Sequence, residues 1–449
     1  MRAALGVGVA MLAFAVYLGR LWAGPTMPRN VWNATLSPGA QAAAIAEARQ
    51  PLVLTSTPCN QWRALVTWAP LSGEGGEYLT RRVRNPLADI VVQKDSRSFR
   101  YWSGGTPLSD VASPDEQTAV LPLADLLTGG DSGHFMYYSR PVVGGEFAPL
   151  TADLEPRSFL FVDRSEAGNS TNVWLGGQGV VTETHYDMSH NFYLQLDGTK
   201  RFELSPPSAY RQLRLHPWIH PLGIFTQRGA EECKDLPECV AELPSGHTIE
   251  LQPGELLYIP PFWFHRVIAP TDRAAISVNV WSESQEGELR GLVDVPPPSA
   301  LFEEATDELQ RRMLLVYLVW ALLRAVLSLD ERQAQDFLRD ALVQERLRPH
   351  FELLRCSDSF VTWDVCAAVT GGARLPPEQT MAAQAHAAHV ARVFGALEQQ
   401  QQAVHEIVLL NMIESLATDV LGDGAAEDGS RGVGSCVFFR CMAEVVLTA

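Results

Sequence analysis

The chain has 449 residues, of which 46% are hydrophobic, and it carries a formal net charge of −17 at pH 7. This length suggests two or three domains, and the hydrophobic content is ordinary for a globular protein. A surface of this sign repels phosphate backbones, so nucleic acid is not expected as a direct partner, whereas a basic peptide or protein substrate would be tolerated.

An apolar run from Ala3 to Gly19 opens the chain, with Arg2 before it and Arg20 after it. It is at the short end for a membrane span and near the long end for a secretory signal. We expect residues 1–24 to be an uncleaved signal-anchor, giving a single-pass protein of the ER or Golgi membrane with a lumenal catalytic domain. A cleaved signal peptide and a secreted product come second, and an organelle-targeting peptide third.

Two further features favour an oxidising, lumenal compartment. Asn33 and Asn169 each begin an N-glycosylation sequon, which predicts a glycoprotein. The seven cysteines include three closely spaced pairs, which would suit disulfides, although buried free thiols are the alternative. The pairs are Cys233 with Cys239, Cys356 with Cys366, and Cys436 with Cys441, leaving Cys59 over.

Residues 25–44 are predicted to form a juxtamembrane stalk, with an alanine-rich helix from Ala40 to Arg49. Short apolar runs separated by Gly, Ser and Pro follow, as in a mainly β domain. The composition changes at the proline-rich linker 294–298. We therefore place one mainly β domain at residues 45–295.

A candidate ligand-binding motif lies in the middle of this domain. His185 and Asp187 are two residues apart, so on a strand both side chains point to the same face. An aromatic and aliphatic run follows, then the hairpin signal Asp197-Gly198, and Lys200 begins the returning segment. A lysine just past this turn could receive an anionic ligand next to a metal.

A second histidine comes from residues 256–267, which read as a strand, a Pro-Pro bend and an aromatic run containing His265. The next strand-like run contains Asn279 and Trp281. Two histidines and one carboxylate make a facial triad, the ligand set of non-haem Fe(II) oxygenases.

These motifs resemble the JmjC branch of the cupin superfamily of Fe(II)/2-oxoglutarate dioxygenases. The closest likeness is to JmjC-only protein hydroxylases such as the asparaginyl hydroxylase that inhibits the hypoxia-inducible factor. The resemblance covers the domain at residues 45–295 and implies a double-stranded β-helix, or jelly-roll barrel.

The resemblance also assigns roles to particular residues. It implies that His185, Asp187 and His265 hold Fe(II), with 2-oxoglutarate as cosubstrate and O2 as the oxidant. The residues implied to contact the cosubstrate are Lys200, Thr182, Tyr137, Asn191 and Asn279. Trp281 is implied at the substrate channel, and Tyr138, which competes with Tyr137 for its role, is placed there too.

Three other histidines lie near these motifs in sequence. His216 and His220 have the spacing of a metal-binding pair on a helix, but Pro217 and Pro221 break a helix there, so we predict a loop. By alternation from His185, His190 faces the opposite side, and we predict a structural role for it.

Residues 299–421 are predicted to be α-helical, and 422–449 to be a flexible tail. The apolar run Met313–Leu323 ends before Arg324 and is too short for a membrane helix, which favours a buried core or dimer helix. A homodimer through these helices is expected by family analogy.

The expected function is therefore an Fe(II)- and 2-oxoglutarate-dependent oxidoreductase that hydroxylates a protein side chain and releases succinate and CO2. Two alternatives remain open. One is a catalytically silent cupin-like binding module in a membrane-anchored complex, because a fold does not fix a function. The other is a JmjC lysine demethylase or RNA-modifying oxygenase.

Overall fold

The structure is a computed structural model, and it describes most of the chain from residue 27 to residue 421. The described residues are 27–33, 35–94, 96–101, 103, 117–128, 134–163, 165–227, 246–270, 272–287, 289, 302, 305, 308–350, 375–396 and 402–421. The predicted apolar N-terminal segment 1–24 and the predicted tail 422–449 lie outside them.

Fourteen strands within these ranges form two sheets. In chain order they are β1 Arg29–Val31, β2 Leu52–Thr55, β3 Leu87–Gln93, β4 Ser98–Phe99, β5 Gln117–Pro122, β6 Phe135–Pro141, β7 Asn169–Gly176, β8 Val181–His185, β9 His190–Asp197, β10 Lys200–Ser205, β11 His247–Leu251, β12 Leu256–Ile259, β13 Phe264–Ile268 and β14 Ala275–Ser282. The larger sheet has the order β1-β2-β12-β9-β14-β7-β6-β3-β5, and the smaller one β11-β10-β13-β8-β4.

The last eight of these strands form a jelly roll. Strands β7, β9, β12 and β14 lie in the larger sheet, and β8, β10, β11 and β13 lie in the smaller one. The chain thus crosses between the sheets at every step except β10 to β11, which pair as antiparallel neighbours. The prediction of a mainly β fold followed by a helical region is confirmed.

The turn between β9 and β10 depends on a glycine, but it is not the predicted hairpin, because the two strands lie in different sheets. Gly198 adopts a φ of +71°, and a side-chain Cβ there would lie 2.9 Å from the Cβ of Ala275. Only glycine combines this backbone conformation with so close an approach. The turn therefore sets the register that starts β10 at Lys200.

The predicted stalk at residues 25–44 is wrong. Strand β1 pairs in parallel with β2 in the larger sheet, and Trp32 is buried just after it. The helix Pro38–Ala48 buries Ala42 and Ala46 against the same core, because small side chains allow close packing. The folded domain therefore includes chain from β1 onward rather than from residue 45.

Ten α- or π-helical segments lie within the described residues, besides several 3-10 helices of three to seven residues. Those before and within the barrel are Pro38–Ala48, Ala64–Thr67, Glu74–Arg82, Leu123–Thr128 and Tyr210–Leu213. Those after it are Glu308–Leu327, Glu331–Phe337, the π-helix Leu338–Leu347, Pro377–Ala396 and Gln402–Leu421.

The apolar run Met313–Leu323 lies on the helix Glu308–Leu327 and is largely buried against the other C-terminal helices. No single described helix has the length and hydropathy to cross a membrane. The helices Gln310–Leu327 and Glu331–His350 together reach that length and hydropathy, but the chain bends by 103° between them. The run is thus a core helix, and the homodimer stays a prediction.

A buried polar network joins the C-terminal helices to the barrel. Arg346 Nε lies 2.9 Å from Glu414 Oε1, and both side chains are almost wholly buried. Arg346 also donates to Asn411 Oδ1, and Asn411 Nδ2 donates to the hydroxyl of Tyr186 at 3.2 Å. Tyr186 stands between His185 and Asp187 in the chain, so the helices hold the segment that carries both candidate ligands.

We expect the Arg346–Glu414 pair to be essential to this arrangement. Arg346→Met leaves a carboxylate buried without its partner, which should lower the free energy of unfolding by about 3–5 kcal/mol. The double variant Arg346→Met/Glu414→Met removes both charges and should recover most of that loss. Urea denaturation followed by circular dichroism measures both.

The control is Arg81→Met, because Arg81 forms an ion pair with Glu77 in which both side chains are mostly exposed. Exposed pairs contribute little, so the change should be below about 0.5 kcal/mol. An equal effect of Arg346→Met and Arg81→Met would show that the buried pair does not support the fold.

Candidate metal centre

The structure brings His185, Asp187 and His265 together inside the barrel. His185 ends β8, and the antiparallel register places it directly opposite His265 on β13. The two imidazole rings have centroids 4.2 Å apart, and His265 Nε2 lies 3.6 Å from Asp187 Oδ2. One ligand atom from each residue lies within 4.8 Å of the others, so a single ion could contact all three.

Backbone carbonyls fix the protonation of both imidazoles. His185 Nδ1 lies 2.7 Å from the carbonyl oxygen of Glu183, and His265 Nδ1 lies 3.0 Å from that of Trp263. A carbonyl can only accept, so each Nδ1 carries the ring proton and each Nε2 keeps a free lone pair. Burial, followed by the neighbouring His265, lowers the pKa of His185, which keeps it in the neutral form that binds metals.

Asp187 supplies the negative charge of the site. Burial raises its pKa, while His265, Trp281 and Asn191 act in the opposite direction. The segment is held by a hydrogen bond of 2.7 Å from the Phe262 amide to the Asp187 carbonyl. Two neutral imidazoles and one carboxylate are donors suited to Fe(II), Mn(II) or Zn(II), so these residues fit a divalent metal ion.

Lys200 is the buried cation of the barrel. It begins β10, it is 2% exposed, and it shares its strand face with Phe202, which lines the cavity. Its ammonium group donates to the hydroxyl of Tyr193 at 2.9 Å, and it forms no ion pair with any carboxylate in the described part of the chain. Burial lowers the pKa of Lys200 to about 7, so an anion bound beside it would restore its charge.

A group of hydroxyls lies close to this lysine. Tyr193 pairs with Ser277 Oγ at 2.7 Å. Thr182 Oγ1 donates to the Tyr137 hydroxyl at 3.4 Å, and that hydroxyl lies 3.1 Å from the Tyr101 hydroxyl. Thr182, Tyr137 and Tyr193 all line the cavity, so it offers several donors to an anionic ligand.

Asn191 and Asn279 have different positions. Asn191 lines the cavity, whereas Asn279 is fully buried behind it and is not a lining residue. Asn279 accepts from Asn172 Nδ2 at 3.1 Å and from Trp174 Nε1 at 2.8 Å, and it donates to Asn191 Oδ1 at 3.0 Å. Asn279 therefore orients Asn191 through hydrogen bonds to neighbouring strands, and its predicted contact with the cosubstrate stays a prediction.

The cavity above the triad has a volume of about 400 Å³, and six of its lining residues are Phe, Tyr or Trp. Trp281, predicted at the substrate channel, lines it together with Trp174, and the two rings meet edge to face at 5.5 Å. Arg140 also lines the cavity, with a side chain that is 40% exposed and 3.7 Å from Asp89. The arginine is therefore the charged group nearest to solvent.

Tyr138 does not reach the channel, so its predicted place there is wrong. Strand β6 alternates, which turns Tyr137 into the cavity and Tyr138 into the opposite core. There Tyr138 packs on Phe147 at 5.7 Å and donates to Glu146 at 2.6 Å. His190 likewise faces away from the cavity, with Nδ1 2.9 Å from the Tyr258 hydroxyl, as its predicted structural role requires.

The two sequons differ in access. Asn33 is exposed. Asn169 donates through Nδ2 to the carbonyl oxygens of Asp163 and Ser165, at 3.0 and 2.6 Å. A side-chain nitrogen that already donates two hydrogen bonds is unsuited to carry a glycan in the folded chain, so Asn169 is a poor candidate for glycosylation.

Cys59 is a buried free thiol, and the three predicted disulfide pairs lie outside the described residues.

Several lining residues were missed by the sequence reasoning. Tyr193 and Trp174 could have been found by alternation along β9 and β7, since each lies on the inward face of its strand. Tyr101 carries no such signal. Neither does Phe225, which does not line the cavity but follows β10 in a long insertion and stacks its ring on His185 with centroids 5.0 Å apart.

Comparison with known proteins assigns this architecture to a family. The sequence profile of a cupin-like domain matches residues 38–287, more than half of the chain. The chain belongs to the cupin-like family, and the resemblance to its JmjC branch is confirmed.

Three relatives illustrate the relationship. The tRNA wybutosine-synthesizing protein 4 of Neurospora crassa is 26% identical over 231 residues, which cover 47% of this chain and 17% of that protein. Jumonji C domain-containing protein 5 of Drosophila melanogaster is 25% identical over 239 residues, covering 53% and 55%. Lysine-specific demethylase JMJ31 of Arabidopsis thaliana is 29% identical over 143 residues, covering 30% and 24%. The matched region thus spans about half or less of each relative.

The metal site predicts a specific loss of binding. Asp187→Ala removes one of three ligands and the site's charge, so Mn(II) should bind more than about 100-fold more weakly, since loss of an outer hydrogen-bond partner alone costs 10–100-fold. Titration of Mn(II) followed by electron paramagnetic resonance measures this. Asp125→Ala, at an exposed aspartate on the helix Leu123–Thr128, is the control and should leave the affinity unchanged. Similar affinities for both variants would place the ion elsewhere.

Proposed function

We propose that this chain is an Fe(II)- and 2-oxoglutarate-dependent oxygenase that hydroxylates a protein side chain. The observation that carries the proposal is the convergence of two histidines and one aspartate in one cavity, together with a buried lysine that donates to the cavity-lining Tyr193 and has no carboxylate partner in the described chain. The first group fits a divalent metal with open coordination positions, and the second fits the far carboxylate of a dicarboxylic acid. When bound, iron and 2-oxoglutarate supply an O2-dependent oxidation that yields succinate and CO2.

In this proposal the chain's own residues bind the metal, orient its ligands and exclude water. Nε2 of His185, Nε2 of His265 and the carboxylate of Asp187 hold the metal, and the carbonyl contacts at Nδ1 prevent the rings from changing tautomer. Asn279 fixes Asn191 against the same cavity wall. The aromatic walls keep water away from the reacting centre.

Lys200 has the role of anchoring the cosubstrate. Its ammonium would bind the distal carboxylate by a charge-assisted hydrogen bond, sharing the contact that it now makes with the Tyr193 hydroxyl. Thr182 and Tyr137 add hydroxyl donors on the same wall. This anchoring role accounts for the presence of a lysine in a position where burial lowers its pKa to about 7.

Demethylation of methyl-lysine is the second candidate. Two relatives carry the name lysine-specific demethylase, JMJ31 and JMJ30 of Arabidopsis thaliana. The same metal and cosubstrate groups serve both reactions, and the products distinguish them. Hydroxylation adds one oxygen that stays on the substrate, whereas demethylation removes a methyl group as formaldehyde.

The proposal predicts succinate formation by the purified chain. With Fe(II), 2-oxoglutarate, O2 and a peptide library, succinate should accumulate, and His185→Ala should reduce its rate by more than about 100-fold, because one metal ligand is lost. His389→Ala, at an exposed helix position, is the control and should keep the full rate. Mass spectrometry of the peptides then reads a gain of one oxygen or the loss of a methyl group.

A chain that binds the metal but releases no succinate with any peptide would contradict oxygenase activity and favour the silent binding module.

The membrane-anchored, lumenal location stays a separate prediction. Endoglycosidase sensitivity of the protein expressed in cells tests it, and resistance would count against lumenal exposure of Asn33.

The pKa of Lys200 predicts a pH dependence of cosubstrate binding. Without the cosubstrate the ammonium loses its proton near pH 7, whereas the bound carboxylate favours the protonated form. Binding above pH 7 must therefore take up a proton, and the dissociation constant for 2-oxoglutarate should rise by about tenfold per pH unit there and stay flat below. Calorimetry with Mn(II), without O2, measures both the affinity and the proton uptake.

Lys200→Arg provides the matched control, since a guanidinium stays charged over the same range and should remove the pH dependence. Lys200→Ala should weaken 2-oxoglutarate far more than it weakens the metal. Equal losses of both affinities, or an unchanged slope in Lys200→Arg, would show that Lys200 does not anchor the cosubstrate.

A further inference from the structure

A second histidine cluster lies outside the barrel cavity. His216 and His220 come from the loop after β10, as predicted, and His350 joins them from the 3-10 turn Arg348–His350 that follows the π-helix. All three are buried, and one ring nitrogen from each lies within 4.8 Å of the others. The ring centroids are 4.6 Å apart for His216 and His220, 5.1 Å for His216 and His350, and 4.9 Å for His220 and His350.

Ring nitrogens of His216 and His350 lack hydrogen-bond partners within the described part of the chain. His216 is 8% exposed, and neither of its ring nitrogens makes a hydrogen bond within the described chain. His350 Nε2 is likewise buried without a partner there. A buried polar atom left unsatisfied costs about 1–3 kcal/mol, so three such atoms in contact need an explanation. A shared ion would satisfy the group at once.

The imidazoles are in the form that binds metals. Burial, followed by His220, His350, Arg100 and Arg346, lowers the pKa of His216. Burial also lowers the pKa of His220 and of His350 to about 4. All three rings are therefore neutral at pH 7, the form in which an imidazole can bind a metal.

The surrounding backbone holds the cluster in place. Arg346 Nε donates to the His216 carbonyl at 3.2 Å, which ties the loop to the helix that ends at His350. The His216 amide donates to the Phe225 carbonyl at 3.0 Å. Since the Phe225 ring stacks on His185, the loop that carries two histidines of the cluster also packs against a ligand of the first site.

We propose that His216, His220 and His350 form a second metal site, one that takes zinc and joins the barrel insertion to the C-terminal helices. Imidazole donors without a carboxylate suit Zn(II), Cu(II) or Ni(II) rather than Mg(II) or Ca(II). The positive charges of Arg100 and Arg346 oppose any cation, which further disfavours ions that imidazole binds weakly. Three protein ligands leave a fourth tetrahedral position for water.

The three ligands should not contribute equally. His220 Nδ1 accepts a hydrogen bond from the Leu222 amide at 3.0 Å, so its Nε2 carries the ring proton. His220 can ligate only if the ion replaces that amide at Nδ1 or the ring turns about its Cβ–Cγ bond. His216 has no such bond to break. Loss of His216 should therefore weaken the ion more than loss of His220.

The test uses the full chain with the barrel site removed by His185→Ala, Asp187→Ala and His265→Ala. After chelation and incubation with zinc alone, this triple variant should retain one equivalent by elemental analysis. Cobalt in its place should give the intense visible absorption of a four-coordinate ion. The wild-type chain should show the same absorption in addition to the weak bands of a six-coordinate ion in the barrel, which secures the result if the triple variant does not fold.

In the triple variant, His216→Phe and His350→Phe should weaken zinc by more than about 100-fold, and His220→Phe by less. His389→Phe, at an exposed position, is the control and should change nothing. No retained zinc in a folded triple variant and no four-coordinate cobalt spectrum in the wild type would overturn the proposal. Equal zinc affinity of His216→Phe and His389→Phe would overturn it as well.

Discussion

The antiparallel pairing of β8 with β13 is the constraint on which the rest of the site depends. It puts His185 opposite His265 although they are far apart in the chain, and a shift of register between His265 and Val267 adjusts the later pairs. A slip of one strand by one residue would turn its imidazole to the other face of the sheet and separate the two ligands. Asp187 comes within reach because β8 ends at His185 and the chain then bends, held by the Phe262 amide.

The remainder of the protein keeps β8 and β13 in register and holds the charged groups of the site in place. The jelly roll buries the ligands from one side, and the C-terminal helices reach Tyr186 from the other through Asn411 and the Arg346–Glu414 pair. The barrel interior therefore contains two imidazoles, one carboxylate and one cation of lowered pKa, each held by contacts that do not need a ligand. Such preorganisation lets a metal and an anion bind without rearranging the backbone.

Local spacing was sufficient to predict part of this site. The spacing of His185 and Asp187 marked both as ligands, although β8 ends at His185 and Asp187 reaches the site through the bend that follows. Lys200 was marked by the turn signal before it, although that turn leads from one sheet to the other and forms no hairpin. The other features depend on tertiary contacts that no local pattern encodes. The stalk was mistaken because β1 is three residues long and is recognised as a strand only by its pairing with β2. Tyr138 was misplaced because a two-residue run of tyrosines does not reveal which one faces inward. His350 could not be joined to His216, because more than a hundred residues separate them.

Anomalous diffraction from crystals of the zinc- or manganese-loaded chain tests the central claim most directly. The claim is that three side chains that are far apart in the sequence coordinate one ion inside the barrel. We expect one ion at about 2.0–2.2 Å from Nε2 of His185, Nε2 of His265 and a carboxylate oxygen of Asp187. A barrel without anomalous density at these atoms, or an ion bound by only one of them, would contradict it.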